Sequence, residues 1–146
     1  MGCNLTRTLT ANTGNNLKEN IIMTTLILEN QLSAKQDELL EAEQLLASMD
    51  NDPAAHFEDE MKELYNQELN EIYSEQFDSF PFALGDPCDW IEENQPTDYS
   101  VGFADFTYDP SNNQEYMDLE SQIEDLINEI EALEEEIEEL ENEENN

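Results

Sequence analysis

The stretch from Tyr116 to Glu141, YMDLESQIEDLINEIEALEEEIEELE, leaves this chain little choice of fold. Leu119, Ile123, Leu126, Ile130, Leu133, Ile137 and Leu140 follow one another in alternating steps of four and three. That is the 3.5-residue repeat of a coiled-coil seam, with Ile at a and Leu at d. Most other positions are acidic: twelve carboxylates and no Lys or Arg fall within these 26 residues. As a helix the stretch extends ~39 Å, so a carboxylate comes about every 3.2 Å along the axis. One strand of duplex DNA carries a charge about every 3.4 Å. The surface charge of this helix therefore has the density of a nucleic-acid backbone.

The same bias runs through the chain, whose 38 acids and 4 bases give a formal charge of −34 over 146 residues. A surface built only for solubility intersperses both signs. This charge excludes nucleic acid and anionic membrane as direct partners, because both repel it. The expected partner is basic, and strongly basic clefts belong above all to proteins that hold DNA or RNA. Leu, Ile, Val and Phe make up 33 of the 146 residues, enough for folding around a thin core. Cys3 and Cys88 form neither a disulfide framework nor a zinc-ligand spacing. With no apolar run near the ~18 residues of a membrane span, the expected compartment is the cytoplasm.

Residues 1–22 differ from the rest, holding Arg7 and Lys18 against the single acid Glu19. Lys18-Glu19 can be encoded as a bacterial ribosome-binding sequence three codons before Met23, so residues 1–22 are expected to be a translated leader or a disordered segment. Gly2, Cys3 and Thr6 also fit an N-terminal lipidation pattern, which the charge of the chain opposes. From Met23 onward 37 acids face two bases, Lys35 and Lys62. Residues 23–146 are expected to form a single acidic helical domain.

A first helix is expected over 23–50, capped by Thr24 or Thr25, with Leu28, Leu32, Leu39, Ala42, Leu46 and Met49 on one stripe. Asn51-Asp52-Pro53 places a capping carboxylate before a proline, so a second helix starts at Pro53 and runs to residue 79. Helices joined this tightly are expected to form an antiparallel hairpin. The second carries Phe57, Met61, Leu64, Tyr65, Leu69, Ile72, Tyr73, Phe77 and Phe80 at helical spacing. Between 81 and 115 the periodicity is lost, yet nine of the twelve aromatics lie from Phe77 to Tyr116, too many for a solvated linker. Asp86-Pro87 opens a short helix through Trp90. The alternation of Tyr99, Val101 and Phe103 suggests a strand, with Phe80, Phe82 and Leu84 as its hairpin partner. The last helix, over 114–141, has Glu at its flanking e and g positions 129, 134, 136 and 141, which opposes a parallel homodimer and favours packing within the chain on the first two helices. The fold class is mainly α: an antiparallel helical hairpin, a long C-terminal coiled-coil-like helix and a small aromatic insertion.

Catalysis finds little to work with. His56 is the only histidine and Cys88 lies among acids, which make a poor nucleophile of a thiol. No carboxylate pair stands out as an acid/base couple. Asp109, Ser111, Asn113, Glu115 and Glu120 fit a calcium-loop template in part, but Gln114 stands where the turn needs Gly. No enzyme activity, metal or cofactor is expected.

In charge, size and helical acid spacing from Thr24 to Glu141, the chain resembles the DNA-mimic inhibitors of phages and mobile elements, the anti-CRISPR and anti-restriction proteins. The resemblance involves no shared motif, and such proteins have unrelated folds. It implies competitive occlusion of the nucleic-acid groove of a CRISPR effector or a restriction-modification enzyme. The expected phosphate-like carboxylates are Glu124, Glu131, Glu134, Glu135, Glu138 and Glu139 of the last helix, with Glu60, Glu63 and Glu71 of the second. Trp90 is a possible anchor at the centre of an acidic interface. The rival reading is an acidic coiled-coil adaptor or scaffold, and the chain is expected to be a monomer or dimer.

Overall fold

The computed structural model describes the backbone of residues 2–145 and the side chains of residues 16–145. Five helices follow in order: α1 (Gly2–Asn51), α2 (Pro53–Asp78), α3 (Pro87–Asn94), α4 (Pro96–Ala104) and α5 (Gln114–Asn145), with a 3-10 turn at Pro110–Asn112. The mainly helical class and the long C-terminal helix are as the sequence predicts. The chain divides into two compact units, one of residues 1–46 and 117–146 and the other of residues 47–116.

The first unit is a two-helix antiparallel coiled coil. Leu119, Leu126, Ile130 and Ile137 of α5 are buried, as are Thr25, Leu28 and Ala42 of α1, and all lie on the 3.5-residue repeats. The direction is fixed by cross-helix neighbours. Gln31 shares a hollow with Glu136, Lys35 meets Glu129, and Leu45 lies with Leu119 and Gln122. A two-stranded seam shields its side chains on one side only, and no large described side chain is fully buried. Leu40 and Leu45 of α1, apolar residues beside its stripe, stay exposed.

The second unit is built around α2. Asp52 caps it through its carboxylate, which accepts from the Ala55 amide at 3.3 Å, and Pro53 occupies the first turn. Phe57, Met61, Tyr65 and Leu69 form its buried face. Tyr65 stacks obliquely against Tyr99 (ring centroids 5.1 Å apart), Phe103 (5.6 Å) and Phe106 (5.6 Å). Cys88, Ile91 and Tyr73 complete the cluster. An aromatic core of this kind needs its hydroxyls satisfied. Tyr65 donates to the Tyr99 carbonyl (3.0 Å), and Tyr99 donates to Asn66 Oδ1 (2.7 Å).

Three expectations are corrected. The 99–103 segment is helical, and no strand occurs among the described residues, so the hairpin with Phe80, Phe82 and Leu84 is absent. Pro96 fixes a first helical turn, and the repeat that matters is the four-residue step from Tyr99 to Phe103, both against Tyr65. Val101, which a strand would have placed beside them, is 57% exposed. Neither Thr24 nor Thr25 caps α1, because the helix is continuous from Gly2 and nothing between 15 and 50 breaks it. Thr25 instead occupies a buried seam position, where its hydroxyl finds no partner. Finally, α5 is grouped with α1 in one unit and the aromatic face of α2 packs with α3 and α4 in the other, in place of a single three-helix core. The leader expectation for residues 1–22 concerns translation, and the side chains of its first fifteen residues lie outside the described residues.

Candidate partner-binding surface

The two bases that follow Met23 are both engaged within the molecule. Lys35 falls on the seam repeat of α1, between the d residues Leu28 and Ala42, and its ammonium lies 3.0 Å from Glu129 and 3.8 Å from Glu38. Glu38 and Glu129 occupy flanking g positions on opposite helices, so Lys35 neutralises a like-charge contact the antiparallel register creates. Lys62 pairs with Glu92 at 3.2 Å. The hydrogen bond and charge of Glu129 hold Lys35 above the usual ammonium value, and those of Glu92 do the same for Lys62. Exposed pairs of this kind add little stability. Their effect on the surface is larger, because they leave the outward carboxylates without a basic neighbour to neutralise them.

On α5, Glu124, Glu131, Glu134, Glu135, Glu138 and Glu139 are all exposed. Glu131, Glu135 and Glu139 rise in four-residue steps of ~6 Å, and Glu124, Glu131 and Glu138 in seven-residue steps of ~10.5 Å. These five point away from the seam. Glu134 differs, standing at an e position beside α1. On α2, Glu60 and Glu71 are eleven residues apart, three turns, on one exposed side with Glu63 near it. The candidates thus form two groups, one on each unit.

Two candidates have other work. Glu60 accepts a hydrogen bond from Asn113 Nδ2, which also approaches the Tyr108 hydroxyl at 3.3 Å. The other end of the Asn113 amide, Oδ1, accepts from the Glu115 (2.8 Å) and Tyr116 (3.3 Å) amides and so caps α5. Glu60 therefore fixes the entry of α5, which a Pro-Ser-Asn-Asn sequence announces only as a turn. Trp90 is half-buried, edge-on to Phe77 with centroids 5.8 Å apart, and belongs to an internal aromatic contact.

The more exposed aromatics are Phe80, at 49%, and Phe82, at 63%, in the loop between α2 and α3. Sequence reasoning placed them in a strand and missed them as surface. Gly85, with φ +83°, supplies the left-handed residue that turns this loop toward α3.

Asp109, His56 and Cys88 are engaged within the fold. Asp109 accepts from the Ser111 hydroxyl (2.6 Å) and amide (3.0 Å), bonds that hold its carboxyl below the usual value and shape the 3-10 turn rather than a calcium loop. Among the described residues no group of His, Cys, Asp and Glu is arranged to hold a metal ion. His56 Nε2 lies 2.8 Å from the Ser48 hydroxyl, and burial pushes the Cys88 thiol up. Among the described residues no helix is long and apolar enough to cross a membrane. Comparison with known proteins gives no relative: no family model, curated protein or solved structure matches the chain.

Proposed function

We propose that this protein is an acidic nucleic-acid mimic that occupies the basic groove of a bacterial defence nuclease and blocks binding of its target DNA. The single observation that carries this reading is the internal use of Lys35 and Lys62, which leaves rows of exposed carboxylates with no base between them. Glu124, Glu131, Glu135, Glu138 and Glu139 take the places of phosphates, and Glu63 and Glu71 form a second patch. Lysines and arginines of the groove bind carboxylates by the same charge-assisted hydrogen bonds they offer to phosphate. A CRISPR effector complex is the natural target, since its channel for guide and target strands is lined with such residues. A restriction-modification enzyme offers the same chemistry. The adaptor reading loses ground because α1 already covers the α5 seam that an adaptor would present.

The test is a pull-down from bacterial lysate, eluted first by a salt gradient and then by duplex DNA. Release by DNA of a nuclease or CRISPR effector, with steep loss of binding as salt rises, is the expected result. Salt-insensitive capture of a protein that does not bind nucleic acid overturns the reading.

A further inference from the structure

Phe82, Phe80, Phe77 and Trp90 form a continuous ladder of rings. Successive centroids are 6.0, 6.4 and 5.8 Å apart, and exposure rises outward from the half-buried Trp90 to Phe82. The outer rungs border a shallow hollow lined by Phe77, Asp78, Phe80, Pro81, Phe82 and Leu84. Pro81 and Gly85 restrict the loop, and the inner rungs are anchored between α2 and α3. Asp78, Asp86 and Asp89, all exposed, lie along the same segment, and no base follows Lys62 in the sequence. Aromatic rings on a chain otherwise tuned to repel cost solubility, and the acids around them restrict the surfaces they can meet.

Apolar rings flanked by carboxylates match one kind of basic surface better than any other. A groove for duplex DNA contacts mostly phosphates and base edges, because the bases stay stacked on one another. A channel for single strands combines a basic track for the backbone with aromatic side chains on which successive bases stack. We propose that Phe80 and Phe82 stand in for unstacked bases, with Asp78 and Asp86 in the places of the adjacent phosphates, and that the partner is a basic, aromatic-lined single-strand channel. This inference rests on the mimic reading and narrows its target from any basic groove to one that holds a single strand.

The experiment measures binding of the labelled full chain to two purified probes: an OB-fold single-strand-binding protein and a basic protein that binds only duplex DNA. Each complex is challenged with oligo-dT and with duplex of equal length. Three variants are compared with the parent: Phe82→Ser, Phe80→Ser with Phe82→Ser, and Glu131→Gln with Glu135→Gln, Glu138→Gln and Glu139→Gln. Phe82 touches only Phe80 among the rings, and an unchanged circular-dichroism melt confirms that its variant is folded. The expected result is binding to the OB-fold probe that oligo-dT displaces, weakened about tenfold by F82S and roughly a hundredfold by the double variant. Unchanged binding by F82S and the double variant, with loss only in the Gln variant, overturns the ladder inference and leaves the mimic reading standing. Preference for the duplex-binding probe has the same meaning. Binding to neither probe, or binding that neither nucleic acid displaces, overturns the ladder inference, while the mimic reading is decided separately by the lysate pull-down.

Discussion

Gly102 has no room for a methyl group. A Cβ built there overlaps the Tyr65 hydroxyl, which the Tyr99 carbonyl already fixes. Gly102→Ala is therefore expected to destabilise the 47–116 unit by roughly 1–3 kcal/mol, read as a lower melting temperature with the α1–α5 unit unchanged. Asn113→Ala should cost about 1–2 kcal/mol, since it removes the α5 cap and leaves Glu60 and Tyr108 without their shared donor. The tyrosines set an alkaline limit. Burial raises Tyr65, Tyr99 and Tyr108 above the usual phenol value, so folding disfavours their ionisation. Their contribution is whole below the unfolded value of about 10 and is lost as pH rises through the higher folded values. Far-ultraviolet circular dichroism against pH should show the aromatic unit weakening above about pH 10. At this scale the sequence was an uneven guide. It revealed which residues were acids but not that Glu60 is tied to Asn113, because that pair is 53 residues apart and no local pattern records it.

Lys35 shows what an element adds. On sequence it interrupts an apolar stripe; in the antiparallel pair it separates Glu38 from Glu129. Lys35→Glu should lower the melting temperature of the coiled coil more than Lys62→Glu lowers that of the aromatic unit, and high salt should recover part of the loss. Changing both Ile130 and Leu133 to Ser removes two seam residues, one of them buried, and should unfold the α1–α5 pair; Leu or Ile to a small residue costs about 2–5 kcal/mol at each buried site. The α5 helix was legible because its heptads are unbroken. So was the start of α2, where Asp52-Pro53 is a local signal with a local cause. The α4 helix was not, because three alternating apolar residues fit a strand as well as a helix, and only the position of Tyr65 decides between them. The threonines at 24 and 25 misled for a similar reason: capping residues suggest a start, but an uninterrupted seam runs through them.

For the molecule as a whole, charge sets stability and binding against each other. Apart from Lys35, no base relieves the acids along the coiled coil from Met23 onward, so self-repulsion works against folding. Raising salt from 0.1 M to 1 M shortens the Debye length from about 10 Å to about 3 Å, and the melting temperature should rise over that range. The same change should release a basic partner. A protein that grows more stable while its complex dissolves is the expected signature, measured by calorimetry and by titration in the same buffers. An adaptor held by an apolar seam would keep its complex.

The scarcity of lysine also bears on how long the protein lasts in a cell. A protease that recognises basic side chains finds only Lys35 and Lys62 after Met23, each within a helix and each held to a carboxylate. Cleavage there waits for the helix to open. Turnover after Met23 by such proteases is then governed by how often α1 or α2 unwinds, so the same two contacts that engage these lysines also guard the bonds beside them.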